Sequence, residues 1–505
     1  MSGLRGNKVH PSGGKTVLFA VFLFLGALLL YLSLGQETFY KIDGQSQILR
    51  VTRGTEPHPH HILQDPLLKG FASLLSNSGL RFFVIARTLS SLGMALAVFL
   101  AFLAALRLGL DRPRAALAAL LVATAPGVLF YASIIEFHGV YLPFATLTLL
   151  ACIEAGKRTG LPSLLLLCLA YGLAALVHSS AALLIPFCFL FGLVLSYEST
   201  GQWKLRRWLL FPILALLVAV LLKKAVLLLG IVPPIQEGTL RRLAIDRFGP
   251  LLGRIPGADW VLYNFEQLRW SDLAFLPHSI LREWLLPAFP ASILFLFTFG
   301  QRGSRLRAGA VLLGLLPFLG LSFVLMTHND EFGAYVLPML IPASLLAAST
   351  LPRPLLLLGL SIGLVYGVRN VRRHDKRPQA ERVRLLRLAE SKLGPFTLLC
   401  DERPDGWLWP ALIAQQHPSA WTLQELGLPQ MQEKDLPLVL QRIDALLASE
   451  HRRGRSLLLS RGALRLLQDP NRLPIGPRLL ESLRAKGRIR EFPRPPFSRI
   501  GAQLR

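Results

Sequence analysis

Apolar runs long enough to cross a bilayer recur along the first three quarters of the chain. The first run, residues 16–34, carries no charge and follows a polar stretch at residues 1–15. Ten further runs are found at residues 82–106, 115–130, 140–153, 161–177, 181–196, 209–229, 284–299, 308–326, 334–349 and 355–367. A straight transmembrane helix needs about 20 predominantly apolar residues. The pattern therefore predicts a mainly α, polytopic bundle of about eleven transmembrane helices, in which a pair of the shorter runs could be re-entrant.

The polar stretches between these runs differ in positive charge. Taken alternately from the N-terminus, one set of loops holds 15 Lys and Arg in 55 residues, whereas the other holds 11 in 120. Cytoplasmic loops carry an excess of Lys and Arg. This predicts a cytoplasmic N-terminus, and long loops 35–81 and 230–283 on the opposite, outer face. No small-residue cleavage site follows run 16–34, so we interpret it as a retained helix rather than a signal peptide.

The last part of the chain, residues 368–505, has a different pattern. Short apolar stretches at 395–400 and 455–460 alternate with a helical pattern at 436–447, as in a small α/β domain. We expect three parts: a cytoplasmic N-terminus (1–15), a membrane domain (16–367) and this basic soluble tail. With a cytoplasmic N-terminus and eleven spans, the tail lies outside the cytoplasm. If one span is miscounted, the tail is cytoplasmic instead.

Composition excludes an ordinary soluble enzyme. Hydrophobic residues make up 52% of the chain and charged residues 17%, and mean hydropathy is +0.47. The net charge of +25 fits cytoplasmic loops facing an anionic membrane surface, so we expect membrane lipids and no nucleic acid as partners. Four cysteines without a CxxC pair give no disulfide framework or cysteine metal site. Arginine outnumbers lysine by 43 to 12, as in GC-rich bacteria, which predicts a bacterial inner membrane.

Ionisable residues concentrate in the outer loops. In the first loop, Glu37 and Asp43 follow the first helix, and Asp43 is a candidate general base if it is not merely a turn residue. The stretch EPHPHHIL adds three histidines, His58, His60 and His61. These could contact a phosphate or another substrate group, bind a metal, or simply form a proline-rich turn. No cofactor is firmly implied, and a divalent metal stays open.

Shorter outer turns add further candidates. Glu136 and His138 stand in SIIEFHG, and His178 stands in LVHSS. Ionisable residues at membrane-buried helix ends are costly and by default indicate function, although each could also be a hydrated turn residue. His328 and Glu331 in THNDEFG, and Arg241 and Arg242 in loop 230–283, complete the candidate substrate-binding set.

In their order and spacing these residues resemble the GT-C superfamily of membrane glycosyltransferases, most closely its protein O-mannosyltransferase-like branch. Four motifs carry the resemblance: IDGQSQIL with Asp43, EPHPHHIL, FYASIIEFH with Glu136, and GLAALVHSS with His178. Phe137 and His138 replace the Val-Tyr that commonly follows the glutamate in that family, and Val177 stands where an Asn is usual. The resemblance covers about residues 16–350.

The resemblance implies sugar transfer on the outer face of the membrane. The donor would be a polyprenyl-phosphate-linked sugar, and the acceptor a hydroxyl of a protein, a lipid or a glycan. Asp43 or Glu37 would take the acceptor proton in an inverting displacement. The leaving phosphate would need positive charge, from His58, His60, His61, Arg241 or Arg242.

A transporter or lipid flippase is the alternative from another class, and a non-catalytic scaffold acting through its tail is a third. Transporters often show inverted repeats and ionisable residues near mid-membrane. Here no repeat relates the two halves and the ionisable residues cluster at one face, which favours an enzyme.

Overall fold

All eleven predicted membrane segments contain helix in the computed structural model. It describes residues 13–36, 39–40, 42–53, 60–158, 160–232, 264–265, 267–301, 303–326, 332–374, 377–400, 420–423, 428, 431–492 and 502–504. The α-helices among them are α1 (Gly13–Ser33), α2 (Ile42–Arg53), α3 (Gln64–Leu74), α4 (Phe82–Leu108), α5 (Arg112–Ala123), α6 (Pro126–Ala132), α7 (Phe137–Lys157), α8 (Leu161–Val177), α9 (Leu184–Thr200), α10 (Leu205–Leu228), α11 (Leu276–Ile280), α12 (Ala291–Leu296), α13 (Arg305–Met326), α14 (Leu337–Thr350), α15 (Arg353–His374), α16 (Arg377–Leu393), α17 (Leu436–Arg452), α18 (Arg461–Gln468) and α19 (Gly476–Ala485).

Within this described part, seven helices are long and apolar enough to cross a membrane: α1, α4, α7, α9 with its preceding 3₁₀ turn, α10, α13 and α15. The bent pair α5 and α6 forms an eighth such unit if it is counted as one span. The other three predicted segments correspond to apolar helices that are shorter than a full span: α8, Ala291–Gly300 and α14. The expected helical membrane bundle is therefore confirmed. Helix α7 lies at the centre of the bundle, because 78% of the residues in its apolar stretch are buried. In α10 only 11% of the corresponding residues are buried, so this helix presents most of its surface outward.

Two predicted segments are not single regular helices. Segment 115–130 bends by 63° between α5 and α6, where Pro126 begins the second helix. Segment 284–299 begins in a π-helical turn, Leu281–Leu285, and resumes as α12 only at Ala291. Pro287 and Pro290 lie between these two pieces, and proline has no N–H to continue a helical ladder. Prolines therefore convert two apolar runs into broken spans.

The arginine-rich turns meet at one end of the bundle. Arg107, after α4, pairs with Glu154 near the end of α7 (3.1 Å). Arg353, at the start of α15, pairs with Asp111 before α5 (2.8 Å). Arg307 pairs with Glu198 at 2.6 Å, joining α13 to α9. The sequence pattern predicts that all these turns are cytoplasmic. The three ion pairs bring them together at one end of the bundle, as is required if they lie on the same side of the membrane.

At the opposite end, α4 crosses the start of α7 with almost no space between the backbones. A Cβ atom placed on Gly93 would lie 2.2 Å from the carbonyl oxygen of Gly139. One turn earlier in α4, Ser90 Oγ donates to the Glu136 carbonyl oxygen (3.1 Å). Ser91 Oγ donates to the Ala132 carbonyl oxygen (2.7 Å). This contact fixes where the turn between α6 and α7 stands.

We expect Gly93→Ala to destabilise the bundle by about 1–3 kcal/mol, the usual cost of forcing an extra methyl group into a packed interior. The clash is with backbone, which cannot rotate away. The buried thiols Cys152, Cys168 and Cys188 allow the test, because a thiol-reactive dye reports their exposure during thermal unfolding in detergent. The matched control is Gly309→Ala in α13, where an added Cβ meets nothing within 4 Å. Equal melting temperatures for the two variants would contradict the tight crossing.

The chain divides into two compact units, of which the first contains the membrane helices up to His374. The second unit comprises 36–53, 78–84 and the tail from residue 375, within the described ranges. The described residues of the tail form a five-stranded sheet in the order β2-β1-β3-β5-β4, from β1 (Phe396–Cys400), β2 (Ala420–Thr422), β3 (Ser456–Leu459), β4 (Ile489–Glu491) and β5 (Ala502–Leu504).

Strand β1 pairs in parallel with β2, which is an edge strand, and with β3, whereas β5 runs antiparallel to β3 and β4. The apolar core of the tail is formed by Leu399, Leu457, Val439, Ile443 and Leu466 with their neighbours. The predicted small α/β domain is therefore confirmed. The three sequence signals at 395–400, 436–447 and 455–460 correspond to β1, α17 and β3.

Candidate functional site

Five of the twelve candidate residues have their side chains described, and all five lie around one end of the membrane unit. They are His60, His61, Glu136, His138 and His178. This is the end opposite the arginine-rich turns. The residues come from three separate turns, before α3, before α7 and after α8.

The first turn is held against the end of α8 by two backbone hydrogen bonds. The amide of Ser179 donates to the carbonyl oxygen of His60 (3.1 Å), and the amide of Leu63 donates to that of Leu176 (3.1 Å). These bonds bring the imidazole of His61 onto that of His178, with ring centroids 4.5 Å apart. The other histidine of this turn, His60, has its ring 6.4 Å from that of His61.

The second turn is the start of α7, and Glu136 acts as its N-cap. The Glu136 side chain accepts a hydrogen bond from the amide of Phe137 (3.0 Å), and the residue is 5% exposed. A carboxylate at a helix N-terminus satisfies an otherwise unpaired donor and complements the helix dipole. The cap sets the direction of the next two side chains. Phe137 stacks on His61 at 3.9 Å, and His138 lies 5.2 Å from His178.

The third turn fixes the protonation of His178. Its Nδ1 accepts a hydrogen bond from the backbone N–H of Ser180 (3.0 Å) and lies 2.6 Å from the hydroxyl of the same residue. An imidazole nitrogen that accepts from an amide N–H carries no proton, so the neutral ring bears its proton on Nε2. Nε2–H is therefore a hydrogen-bond donor, held by a ring that is 2% exposed.

Tyrosines complete the arrangement. Tyr335, two residues before α14, has its ring 5.4 Å from His138 and 6.1 Å from His178. Tyr131 lies 5.3 Å from His138, and Tyr141 lies 5.0 Å from His178. We call His61, His138, His178, Phe137 and these three tyrosines the histidine–aromatic cluster. Its histidines are buried, whereas Tyr335 is partly exposed and forms its accessible edge.

Tyr131, Tyr141 and Tyr335 are not among the candidate residues that the sequence pattern singles out. Tyr131 stands in the same motif as Glu136, and Tyr141 comes three residues after His138. Proximity to the motif was the available signal. In an apolar run, however, a buried tyrosine has the same pattern as an ordinary core residue.

The remaining candidates have different outcomes. Asp43 is the second residue of α2, which belongs to the second compact unit, and its backbone alone is described. Outside the described residues lie Glu37, His58, Arg241, Arg242, His328 and Glu331. These seven side chains stay predictions.

The cluster offers hydrogen-bonding nitrogens and hydroxyls beside flat aromatic faces. Imidazole and phenol groups can hold phosphate or sugar oxygens, and aromatic rings present an apolar face with a polar edge. Among the described residues, no group of three or more His, Cys, Asp and Glu side chains has an arrangement that could hold a metal ion. These groups have the chemistry needed to bind an oxygen-rich, partly apolar ligand.

A search of solved structures found this architecture in a membrane protein. The crystal structure of ArnT from Cupriavidus metallidurans bound to undecaprenyl phosphate matches with a TM-score of 0.55 and 14% identity, over 98% of each chain. ArnT is a GT-C glycosyltransferase. The chain has the GT-C fold. Seven of its described helices are long and apolar enough to cross a membrane, which supports an integral membrane protein.

The apo structure of the same ArnT gives the same values. The archaeal oligosaccharyltransferase AglB from Archaeoglobus fulgidus, in complex with an inhibitory peptide and a dolichol-phosphate, gives a TM-score of 0.44 at 10% identity, over 78% of this chain and 64% of that one. No protein-family model matches the sequence, and a search of curated proteins found no match either.

Proposed function

We propose that this protein is a glycosyltransferase that moves a sugar from a polyprenyl-phosphate carrier to an acceptor hydroxyl at the extracytoplasmic face of a bacterial inner membrane. The observation that carries the proposal is the convergence of His61, His138 and His178 with three tyrosines at one end of a GT-C fold. ArnT, which has the same fold, was crystallised with undecaprenyl phosphate, the lipid carrier, without its sugar, of the proposed donor class.

The location of the cluster supports a lipid-linked donor. Nucleotide sugars are not available outside the cytoplasm, whereas a polyprenyl chain can lie between membrane helices with its phosphate at the interface. The cluster lies at the end of the bundle away from the arginine-rich turns, and positive turns face the cytoplasm. The acceptor would then approach from the aqueous side.

In the proposed reaction, the acceptor oxygen attacks the anomeric carbon opposite the phosphate. The new glycosidic C–O bond forms as the bond between the anomeric carbon and the phosphate oxygen breaks, with inversion at that carbon. Asp43 takes the hydroxyl proton, and Glu37 is the alternative base. The polyprenyl phosphate leaves as an anion and needs no proton.

The phosphate needs hydrogen-bond donors and positive charge as it leaves. His60 and His61 are the described members of the first-loop trio that includes His58. Arg241 and Arg242 from the second long loop are further candidates. The neutral His178, with its proton on Nε2, is suited to donate to a sugar or phosphate oxygen without carrying charge. Glu136 caps α7 through its Oε1 and stays a candidate for binding the substrate.

The test is a transfer assay with purified protein in nanodiscs. Radiolabelled polyprenyl-phosphate sugars, including mannose for the O-mannosyltransferase-like assignment, are incubated with an extract of bacterial membranes. We expect label to move from the lipid to an acceptor, and the product class identifies it as protein, lipid or glycan. The product should have the anomeric configuration opposite to that of the donor. Well-folded protein that transfers no label from any donor would contradict the proposal.

A further inference from the structure

Glu283 is a buried carboxylate outside the histidine–aromatic cluster. It is 3% exposed and lies in the π-helical turn Leu281–Leu285, between apolar segments of a membrane protein. Acidic side chains in such places are costly, and π-helical turns are often found at functional sites. The contacts of its carboxylate indicate a function.

The carboxylate holds the turn that precedes α14. Its Oε2 accepts hydrogen bonds from the backbone amide of Gly333 (2.9 Å) and from the hydroxyl of Ser322 in α13 (3.1 Å). The carbonyl oxygen of Gly333 in turn accepts from the amides of Val336 (3.0 Å) and Leu337 (3.1 Å), where α14 begins. Glu283 therefore joins the end of α13 to the start of α14.

The backbone of this turn has an uncommon conformation. Gly333 has φ +77°, and a Cβ on it would lie 2.6 Å from Pro287 Cβ. Phe332 has φ +49°, in the left-handed region that residues with side chains rarely adopt. Backbone of this kind persists where surrounding contacts over-determine it, and it is concentrated at ligand sites.

The turn carries a member of the cluster. Tyr335 comes two residues after Gly333 and presents its ring to His138 (5.4 Å) and His178 (6.1 Å). It is also the accessible edge of the cluster. A shift of the Gly333 turn moves Tyr335 relative to both imidazoles.

We propose that Glu283 is a positioning residue that sets Tyr335 against His138 and His178 by holding the amide of Gly333. The effect of Glu283 on sugar transfer rests on the proposed function, whereas its hold on the Gly333 turn does not. In this role Glu283 acts through Tyr335 rather than on the substrate itself. What it supplies is a hydrogen-bond acceptor, and a glutamine oxygen at the same place has the same two lone pairs.

The experiment compares Glu283→Leu with Glu283→Gln in nanodiscs. We expect Glu283→Leu to lower kcat by about 10²-fold, because a displacement of about 1 Å in a reacting geometry can cost that much. KM for the lipid donor should change far less than kcat. Glu283→Gln should restore transfer, which a proton-transferring carboxylate would not permit. On a Tyr335→Ala background, Glu283→Leu should cost little more, since it acts through that side chain.

Amide hydrogen exchange tests the same contact without any activity. We expect faster exchange in Glu283→Leu for the peptide that contains Gly333, Val336 and Leu337, and unchanged exchange in α5. If wild type transfers no sugar but Glu283→Leu still shows faster exchange around Gly333, the enzyme assignment is wrong and the contact between Glu283 and Gly333 is confirmed. Wild-type exchange in Glu283→Leu, or equal loss of kcat in the Leu and Gln variants, would overturn the positioning role.

Discussion

Asp43→Asn is expected to lower the transfer rate by about 10²–10⁴, the usual contribution of a positioned general base. An amide cannot take the acceptor proton, while its size and shape are those of the carboxylate. The measurement is initial-rate transfer of labelled sugar in nanodiscs. Asp111→Asn is the matched control, because Asp111 lies at the arginine-rich end and caps α5, a role that asparagine also performs.

The outcome also assigns the base between the two candidates in the first outer loop. Full activity of Asp43→Asn together with a large loss in Glu37→Gln would make Glu37 the base. Full activity of both variants would show that neither acid takes the proton. Asp65, near the start of α3, would then be the next residue to test.

His178→Phe is expected to lower the transfer rate by about 10²–10³, the usual cost of removing one preorganised donor from an active site. Phenylalanine can keep the stacking with His61 and Phe137 at 4.5 and 4.8 Å but has no Nε2–H. Transfer is measured alongside thermal unfolding, followed through the buried thiols. His451→Phe, at an exposed position in the tail, is the matched control.

A second variant, Ser180→Ala, changes the surroundings of His178 but leaves its imidazole ring in place. Ser180→Ala removes one hydroxyl contact to His178 Nδ1 and keeps the backbone N–H that sets the ring's tautomer. We expect a small loss of activity, consistent with a net contribution of about 0.5–1.5 kcal/mol for one hydrogen bond. Unchanged transfer by a folded His178→Phe protein would remove His178 from the site.

Most of the fold could be predicted because hydrophobicity alone marks membrane helices. Each of the eleven apolar runs corresponds to helix, and the alternation of charged turns identifies the end at which His61, His138 and His178 meet. The breaks were harder to predict. Pro126 starts α6, whose axis is bent by 63° from that of α5. The hydrophobicity of a stretch of residues does not indicate such a bend.

The candidate site could be predicted in part. Histidines between apolar runs stand out, because polar residues there are expensive. Tyr131 and Tyr141 do not stand out, because a tyrosine in an apolar run is usually core. Glu283 was counted in a long outer loop, and its role depends on a hydrogen bond to Gly333, fifty residues away. Contacts of this kind depend on how the chain folds back, which local pattern does not encode.

The central claim is that this protein breaks the glycosyl–phosphate bond of its donor and forms a glycosidic bond, rather than moving a lipid across the membrane. The most direct test is reconstitution into proteoliposomes with a labelled polyprenyl-phosphate sugar and membrane extract as acceptor, following both the covalent state and the leaflet of the label. We predict acceptor-dependent loss of sugar from the lipid, with no movement of the lipid-linked sugar between leaflets. Movement between leaflets without a covalent product would contradict the account and identify a flippase or transporter.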